Sequence, residues 1–333
     1  MNDPVRVGIL TCGTIVTAGH LPALDALGRD AADVVAFASR TRATAERAAA
    51  QWGSGVVVDD WRDVLARDDV DAVDICSPNA QHAEMAIAAA EAGKHVLVEK
   101  PIAVSLAEAD AMIDAAAAAG VVLMAAHNLR FAAPYAAAAT AVATGMIGEV
   151  VGVRVAFGHA GPQAWAPSST WFREVGLSGG GALLDLGIHV ADLLRAVTGD
   201  EIEEVSAFLR RPSADAVEEA GQVAFSLRGG GVGSFHASWV ARPGPDHQLV
   251  VHGTDGSLSI ERGRAVVRPA DGADKVVVEP PAAAPDLFGS FVAACRREAT
   301  PAVTGEDGRA ALAVIVAAYQ AAAERRAVAV AHR

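Results

Sequence analysis

The sequence predicts an α/β chain in two parts: an N-terminal doubly wound parallel sheet over residues 1–126, and a C-terminal α+β part over 127–333 built on a large, open-faced, mainly antiparallel sheet. Three observations predict it. Up to about residue 126, short β-branched runs alternate with alanine-rich helical stretches, as in a parallel sheet with helical crossovers. Beyond that point the strands lengthen, alternate apolar with polar residues and are joined by glycine turns, as in antiparallel pairing. The length, 333 residues, exceeds the ~250 to 300 residues that a single core organises.

In chain order, Val5 to Leu10 reads as a strand, 14–28 as a helix, Val34 to Ala38 as a strand and 42–52 as a helix. Val56 to Val58 and Ala72 to Ile75 are strands, then come a helix at 80–92, a strand at His95 to Val98, a helix at 105–119 and a strand at Val121 to Ala125. Nearly every residue of these strands is apolar, as burial on both faces requires. A crossing helix at 133–144 precedes longer strands at 149–159, 203–209, 220–228, 232–240, 247–252 and 257–261, with turns such as Gly229-Gly230-Gly231 and Asp255-Gly256 between some of them. A helix at 181–197 interrupts this sheet, the Pro/Ala stretch 280–285 reads as a connector, and helices at 286–298 and 306–325 close the chain.

Composition excludes several classes. There are 27 basic against 40 acidic residues, a formal net charge of -13, and no basic run long enough to follow a phosphate backbone, so no nucleic-acid partner is expected. Cys12, Cys76 and Cys295 lie far apart with no CxxC or Cys/His ligand spacing, which signals neither disulfides nor a metal site and fits a reducing compartment. The N-terminus has no signal-peptide pattern, and Asp, Glu or Arg is expected to interrupt each apolar stretch before it spans a bilayer. A cytoplasmic protein without a membrane partner is the expectation.

Two motifs carry chemistry. Glu99-Lys100-Pro101 ends an apolar strand, and Asp185-x-Gly187-x-His189 follows a triple glycine. They supply an amine, a carboxylate and an imidazole, the groups needed to move a proton on or off a hydroxyl as hydride leaves its carbon. The first strand runs into Thr11-Cys12-Gly13-Thr14-Ile15-Val16, where a dinucleotide fold places its glycine-rich turn; Thr11 holds the first glycine position, Gly13 the second and Val16 the third. After the second strand, where an acid would bind the ribose hydroxyls of NAD, stand Ser39, Arg40 and Arg42. Hydroxyl and guanidinium donors suit a 2′-phosphate, so NADP(H) is preferred, with NAD(H) as the alternative and a solvated helix start as the reading without a ligand.

With these residues in place, the chain resembles the glucose-fructose oxidoreductase / inositol dehydrogenase / rhizopine catabolism family of NAD(P)-dependent oxidoreductases along nearly its whole length. The resemblance runs through His20-Leu21-Pro22-Ala23-Leu24, Asp71 to Asn79 with His82, Ala92 to Pro101, and Gly179-Gly180-Gly181-x-x-x-Asp185-x-Gly187-x-His189-x-x-Asp192. It implies a Rossmann domain whose cofactor lies against the open-faced sheet domain. It also implies cofactor contacts from the turn Ser77-Pro78-Asn79 with His82 and from Glu99 and Lys100, and a substrate beside Asp185 and His189. Thr11 and the missing acid at Ser39 depart from the family pattern.

The expected activity is hydride transfer between a nicotinamide and a secondary alcohol or carbonyl of a sugar, inositol or related polyol. His189 acts as general base, Asp185 orients, and Lys100 donates to the reacting oxygen. If Asp185 and His189 share a helix, their i, i+4 spacing puts them on one face. Arg130, beside His127, Asn128 and Phe131, is a substrate-binding candidate or an interdomain salt bridge. Trp171, with Trp165 and Arg173, is a sugar-stacking candidate or loop packing. His159 and His236 read as structural, and Phe157, Phe225, Phe235 and Trp239 as core or subunit interface. A broad sheet face needs cover, so a homo-oligomer, dimer or tetramer, is expected through the C-terminal sheet. Two rival readings stand beside this one: a redox-assisted glycosidase or lyase with tightly bound nicotinamide, and a non-catalytic nucleotide sensor.

Overall fold

A computed structural model describes residues 3–241, 248–282 and 286–333. The chain divides into two compact units, Met1–Ala126 with Pro285–Arg309, and His127–Ala284 with Ala310–Arg333. The sequence reading assigns 285–309 to the second part, but long-range contacts join this stretch to the first. Arg309 Nε donates to Asp110 Oδ1 at 3.1 Å, Thr304 bridges Met124, and Phe288 meets the His20 ring edge-on. Residues 283–285 of the expected connector lie outside the described residues.

The first unit holds a six-stranded sheet: β1 Val5–Leu10, β2 Ala32–Ala38, β3 Val56–Val58, β4 Ala72–Ile75, β5 His95–Val98 and β6 Leu123–Ala125. All pairs are parallel, in the order β3-β2-β1-β4-β5-β6. This is the doubly wound order, in which the direction of winding reverses between β1 and β4, so ligands bind outside the carboxyl ends of those strands. Both faces are covered, and Ile9, Val73, Ile75 and Leu97 are all fully buried. Local signals end the helices. Ser105 accepts from the Glu108 N–H while the Glu108 carboxylate accepts from the Val104 N–H, and Gly120, at φ 65°, closes the helix Leu106–Ala119.

The second unit is built on nine strands: β7 Val150–Gly158, β8 Ile202–Arg210, β9 Ala220–Leu227, β10 Val232–Ser238, β11 Gln248–Gly253, β12 Gly256–Glu261, β13 Arg264–Pro269, β14 Val276–Val278 and β15 Val328–Ala329. Their order is β14-β13-β12-β11-β7-β10-β9-β8-β15, antiparallel except for the β7–β10 pair. The alternation read from the sequence sorts the faces. The row Ala207, Val223, Phe235, Val155 and Leu249 crosses five strands on the buried face. The adjacent row Phe208, Gln222, His236, Ala156 and Gln248 crosses the same strands on the other face. Phe157, Phe225, Phe235 and Trp239 are all buried, which makes them core residues and removes the interface alternative.

β13, β14 and β15 extend the sheet beyond the strands expected from sequence, and His247, expected to open a strand, lies outside the described residues. One apolar run also departs from expectation. Val175–Thr198 is long and apolar enough to cross a membrane, yet 78% of its most apolar 18-residue window is buried inside the protein, as befits a core helix.

Candidate active site

In the first unit, β1 ends in the turn that carries Thr11, Cys12 and Gly13. Thr11 has φ 75°, in the left-handed region, and its N–H donates to Ala38 O at 2.8 Å. A β-branched residue there costs about 1 to 2 kcal/mol, which is why the family pattern puts glycine at this position. Gly13 is exposed, and a Cβ built on it meets nothing within 4 Å. The backbone is therefore open to close approach where a helical run starts at Thr14 and Ile15, the requirement for a pyrophosphate. Cys12 is buried, and burial pushes its thiol up to about 12, so it offers its backbone and not a thiolate.

After β2, Ser39 Oγ accepts from Thr44 Oγ1 at 2.8 Å, and Arg40 is exposed with no ion pair among the described residues. Arg42 is committed elsewhere, to Glu46 at 3.0 Å and Asp59 at 2.8 Å. Of the basic residues singled out here, Arg40 is thus the one best placed to serve an anion.

After β4, Ser77 and Asn79 are buried in the turn that starts the next helix. His82 is fully buried, with Nδ1 2.8 Å from Pro101 O and Nε2 2.9 Å from Ser77 O. Burial lowers its pKa while those carbonyls oppose the shift. Expected from sequence to touch the cofactor, His82 instead clips together the two turns that contain Ser77 and Lys100. The Lys100–Pro101 bond is cis.

Beneath these turns His20 lies between two carboxylates, 2.7 Å from Asp74 and 3.0 Å from Glu99. The ligand-type atoms of His20, Asp74 and Cys76 lie within 4.8 Å of one another, but 2.7 Å is a hydrogen bond, shorter than the about 3.3 Å edge of a tetrahedron around zinc.

In the second unit, Asp185 and His189 share one helical run, a π turn Leu183–Gly187 continuing into the helix Ile188–Thr198. The triple glycine has a specific cause. Glu218 Oε1 accepts from the N–H groups of Gly181 and Leu183, both at 2.9 Å, and from Tyr319 Oη at 2.8 Å, while Glu218 O accepts from the Ala182 N–H. A Cβ on Gly181 would overlap the Glu218 backbone, and one on Gly180 would overlap the Tyr319 hydroxyl. The buried Glu218 carboxylate thus caps the run at its positive end. Burial and Glu218 raise the Tyr319 phenol well above its usual value, so it stays a donor.

Asp185 is 8% exposed and accepts from Trp239 Nε1 at 2.9 Å. His159 Nε2 lies 3.5 Å from the same oxygen, and its Nδ1 accepts from the Gly161 N–H at 2.9 Å, which leaves the neutral ring its proton on Nε2, facing Asp185. Sequence reasoning gave His159 and Trp239 only structural or interface roles, because nothing local to strands β7 and β10 points to a residue on a distant helix. Arg130 is bound by Asp192 through Nε and Nη2 at 2.6 to 2.9 Å, within this unit, so the structure uses its guanidinium to anchor the same helix. The rings of His127 and His189 stand edge-on at 6.4 Å. Trp171 stacks on Phe172 with centroids 3.9 Å apart, and Trp165 meets Phe172 edge-on, so this loop packs on its own aromatics.

Comparison with known proteins agrees along the chain. Residues 5–127 match an oxidoreductase family with an NAD-binding Rossmann fold, and residues 135–259 match the GFO/IDH/MocA C-terminal domain. The chain is 32% identical over 329 residues to 1,5-anhydro-D-fructose reductase of Ensifer adhaerens, covering 96% of each. It is 30% identical to inositol 2-dehydrogenase of Rhizobium meliloti, covering 98% of this chain and 99% of that one. Among solved structures, levoglucosan dehydrogenase in complex with NADH superposes with a TM-score of 0.85 at 26% identity, covering 99% of this chain and 100% of that one.

Proposed function

The chain belongs to the GFO/IDH/MocA family of NAD-binding oxidoreductases, and from that premise we propose that it exchanges hydride between a nicotinamide and a secondary alcohol or carbonyl of a sugar, inositol or related polyol. The observation that carries the cofactor half is the open backbone at Gly13, outside the carboxyl end of β1 at the switch point of the sheet. Thr11 to Ile15 hold the pyrophosphate, Ser39 and Arg40 the ribose end, and the turns containing Ser77, Pro78, Asn79, Glu99 and Lys100 the nicotinamide end. NADP(H) is preferred: no carboxylate follows β2, and Arg40 forms no ion pair with another described residue.

Hydride exchange is the chemistry that a bound nicotinamide supplies. The chain moves the proton. His189 takes it from the substrate hydroxyl and returns it in the reverse direction, Asp185 orients the hydroxyl or the imidazolium, and Lys100 donates to the oxygen on which negative charge develops. The Trp239 N–H donated to Asp185, with His159 Nε2 3.5 Å from the same oxygen, supports its role as an oriented acceptor. Three free thiols fit a reducing compartment, and we place the enzyme in the cytoplasm. The test is a screen of sugars, inositols and their oxo forms with NADP(H) and NAD(H), followed at the nicotinamide absorbance. Turnover with a member of these classes is expected, and silence across all of them with both cofactors overturns the reading.

A further inference from the structure

The first unit holds a row of ionisable groups that take no part in the proposed proton transfer. His20, 4% exposed, ends the π turn Val16–His20; Asp74, fully buried, lies on β4; and Glu99, its side chain 15% exposed, follows β5. His20 Nδ1 is 2.7 Å from Asp74 Oδ2, and Nε2 is 3.0 Å from Glu99 Oε1. An ionised carboxylate only accepts, so two of them, one on each ring nitrogen, are both satisfied by a ring that carries a proton on each. The other oxygen of Glu99, Oε2, accepts from the Lys100 backbone N–H at 3.0 Å. Asp74, His20, Glu99 and Lys100 therefore alternate in charge and sum to zero.

We propose that His20 is a positioning residue for Lys100: bridging Asp74 and Glu99 as an imidazolium, it keeps Glu99 ionised, and Glu99 holds the Lys100 backbone and supplies a counter-charge for its ammonium. The inference rests on the reading of Lys100 as the proton donor. The groups around His20 favour the charged ring. Burial opposes it, but the charge and hydrogen bond of Asp74 raise the ring well above its usual pKa. Cys76 Sγ lies 3.4 Å from His20 Nδ1, and burial keeps the thiol neutral by raising it well above its own usual value. The helix Leu287–Cys295 presents Phe288, with no charge, to the ring at 5.2 Å. Glu99 would be raised by burial, but the His20 hydrogen bond and charge, with that of Lys100, bring it below the usual carboxylate value.

Two measurements on the full chain test this without a substrate. In ¹³C-histidine-labelled protein, with the signal identified by its loss in His20→Gln, the His20 ring is expected to be charged at about pH 8, where an ordinary histidine is neutral. The chain has three lysines, Lys94, Lys100 and Lys275, so acetic anhydride labelling read by mass spectrometry isolates Lys100 against two internal controls. His20→Gln leaves two buried carboxylates without a cation, Glu99 takes up a proton, and Lys100 labelling is expected to rise about tenfold relative to the other two. Adding Asp74→Asn removes one carboxylate, restores the balance and returns Lys100 to its wild-type rate. A packing role alone predicts no such restoration, since the double variant departs further from the native row. A His20 ring that is neutral at about pH 8, or equal Lys100 labelling in the single and double variants, overturns the proposal. Should His20→Gln fail to fold, the signal is identified by its shift in Asp74→Asn, and the wild-type charge state decides. These outcomes are independent of turnover, so an inactive screen with a charged His20 sinks the proposed activity and leaves the row standing, and the reverse result does the opposite.

Discussion

Lys100 and His189 are the residues on which the proposed chemistry depends, and they are expected to act on rate more than on cofactor affinity. Replacing Lys100 with Ala, or His189 with Ala, removes a group that transfers or stabilises a proton in the transition state, so kcat should fall at least ~100-fold while cofactor binding, read by nicotinamide fluorescence, stays near wild type. Full activity after either change would sink the mechanism. Cofactor choice is tested separately at the end of β2. Ser39→Asp places a carboxylate where a 2′-phosphate would sit, so the ratio of NADP to NAD affinity should fall about tenfold or more through like-charge repulsion and gained hydrogen bonds to ribose hydroxyls. An unchanged ratio would refute the assignment of Ser39 and Arg40. Thr11, with its φ of 75°, shows that this position demands a left-handed backbone and that a threonine can occupy it.

The helical run with Asp185 and His189 depends on its first residues. Gly181 has no space for a side chain against the Glu218 backbone, and the Glu218 carboxylate holds the first N–H groups of the run. Gly181→Ala should therefore displace the start of the helix, lowering stability by about 3 kcal/mol in denaturant unfolding and weakening turnover with it. An Ala variant with wild-type stability would show that the cap is not needed. The triple glycine was legible in the sequence as a motif, and so were Asp185 and His189 behind it. Glu218 and Tyr319 were not, because they lie 37 and more residues away and leave no local period. His20 stood in a recognisable motif, but its pairing with Asp74 and Glu99, 54 and 79 residues along the chain, left no local signal. Strands with clean alternation, such as β8 to β10, were legible to within a residue or two. β14 is three valines and β15 two residues, too short to show a period, and each is strand only because a neighbour pairs with it.

For the molecule as a whole, the open face of the nine-stranded sheet decides whether a single chain is complete. Its buried face is packed with Val, Leu and Phe, whereas the opposite face carries rows of mostly small or polar residues: Ser206, Ala224, Ser234 and Arg154 stand side by side across β8, β9, β10 and β7. On one side of this row lies the row that starts at Phe208, 81% exposed, and on the other the row that includes Val232, 60% exposed, at the start of β10. Small side chains let a second sheet approach to the ~10 Å at which sheets pack, and the scattered large apolar groups supply the area that makes contact favourable. We therefore expect a homo-oligomer joined through this face. Ala224 is exposed in the single chain, so Ala224→Lys should leave the fold intact while placing an uncompensated charge in the centre of the contact, an addition that typically costs several kcal/mol in association. Sedimentation velocity should show the wild type as a dimer or tetramer and the variant shifted towards monomer, with unfolding of the separated chains unchanged. A variant that sediments as the wild-type oligomer would move the interface elsewhere on the chain.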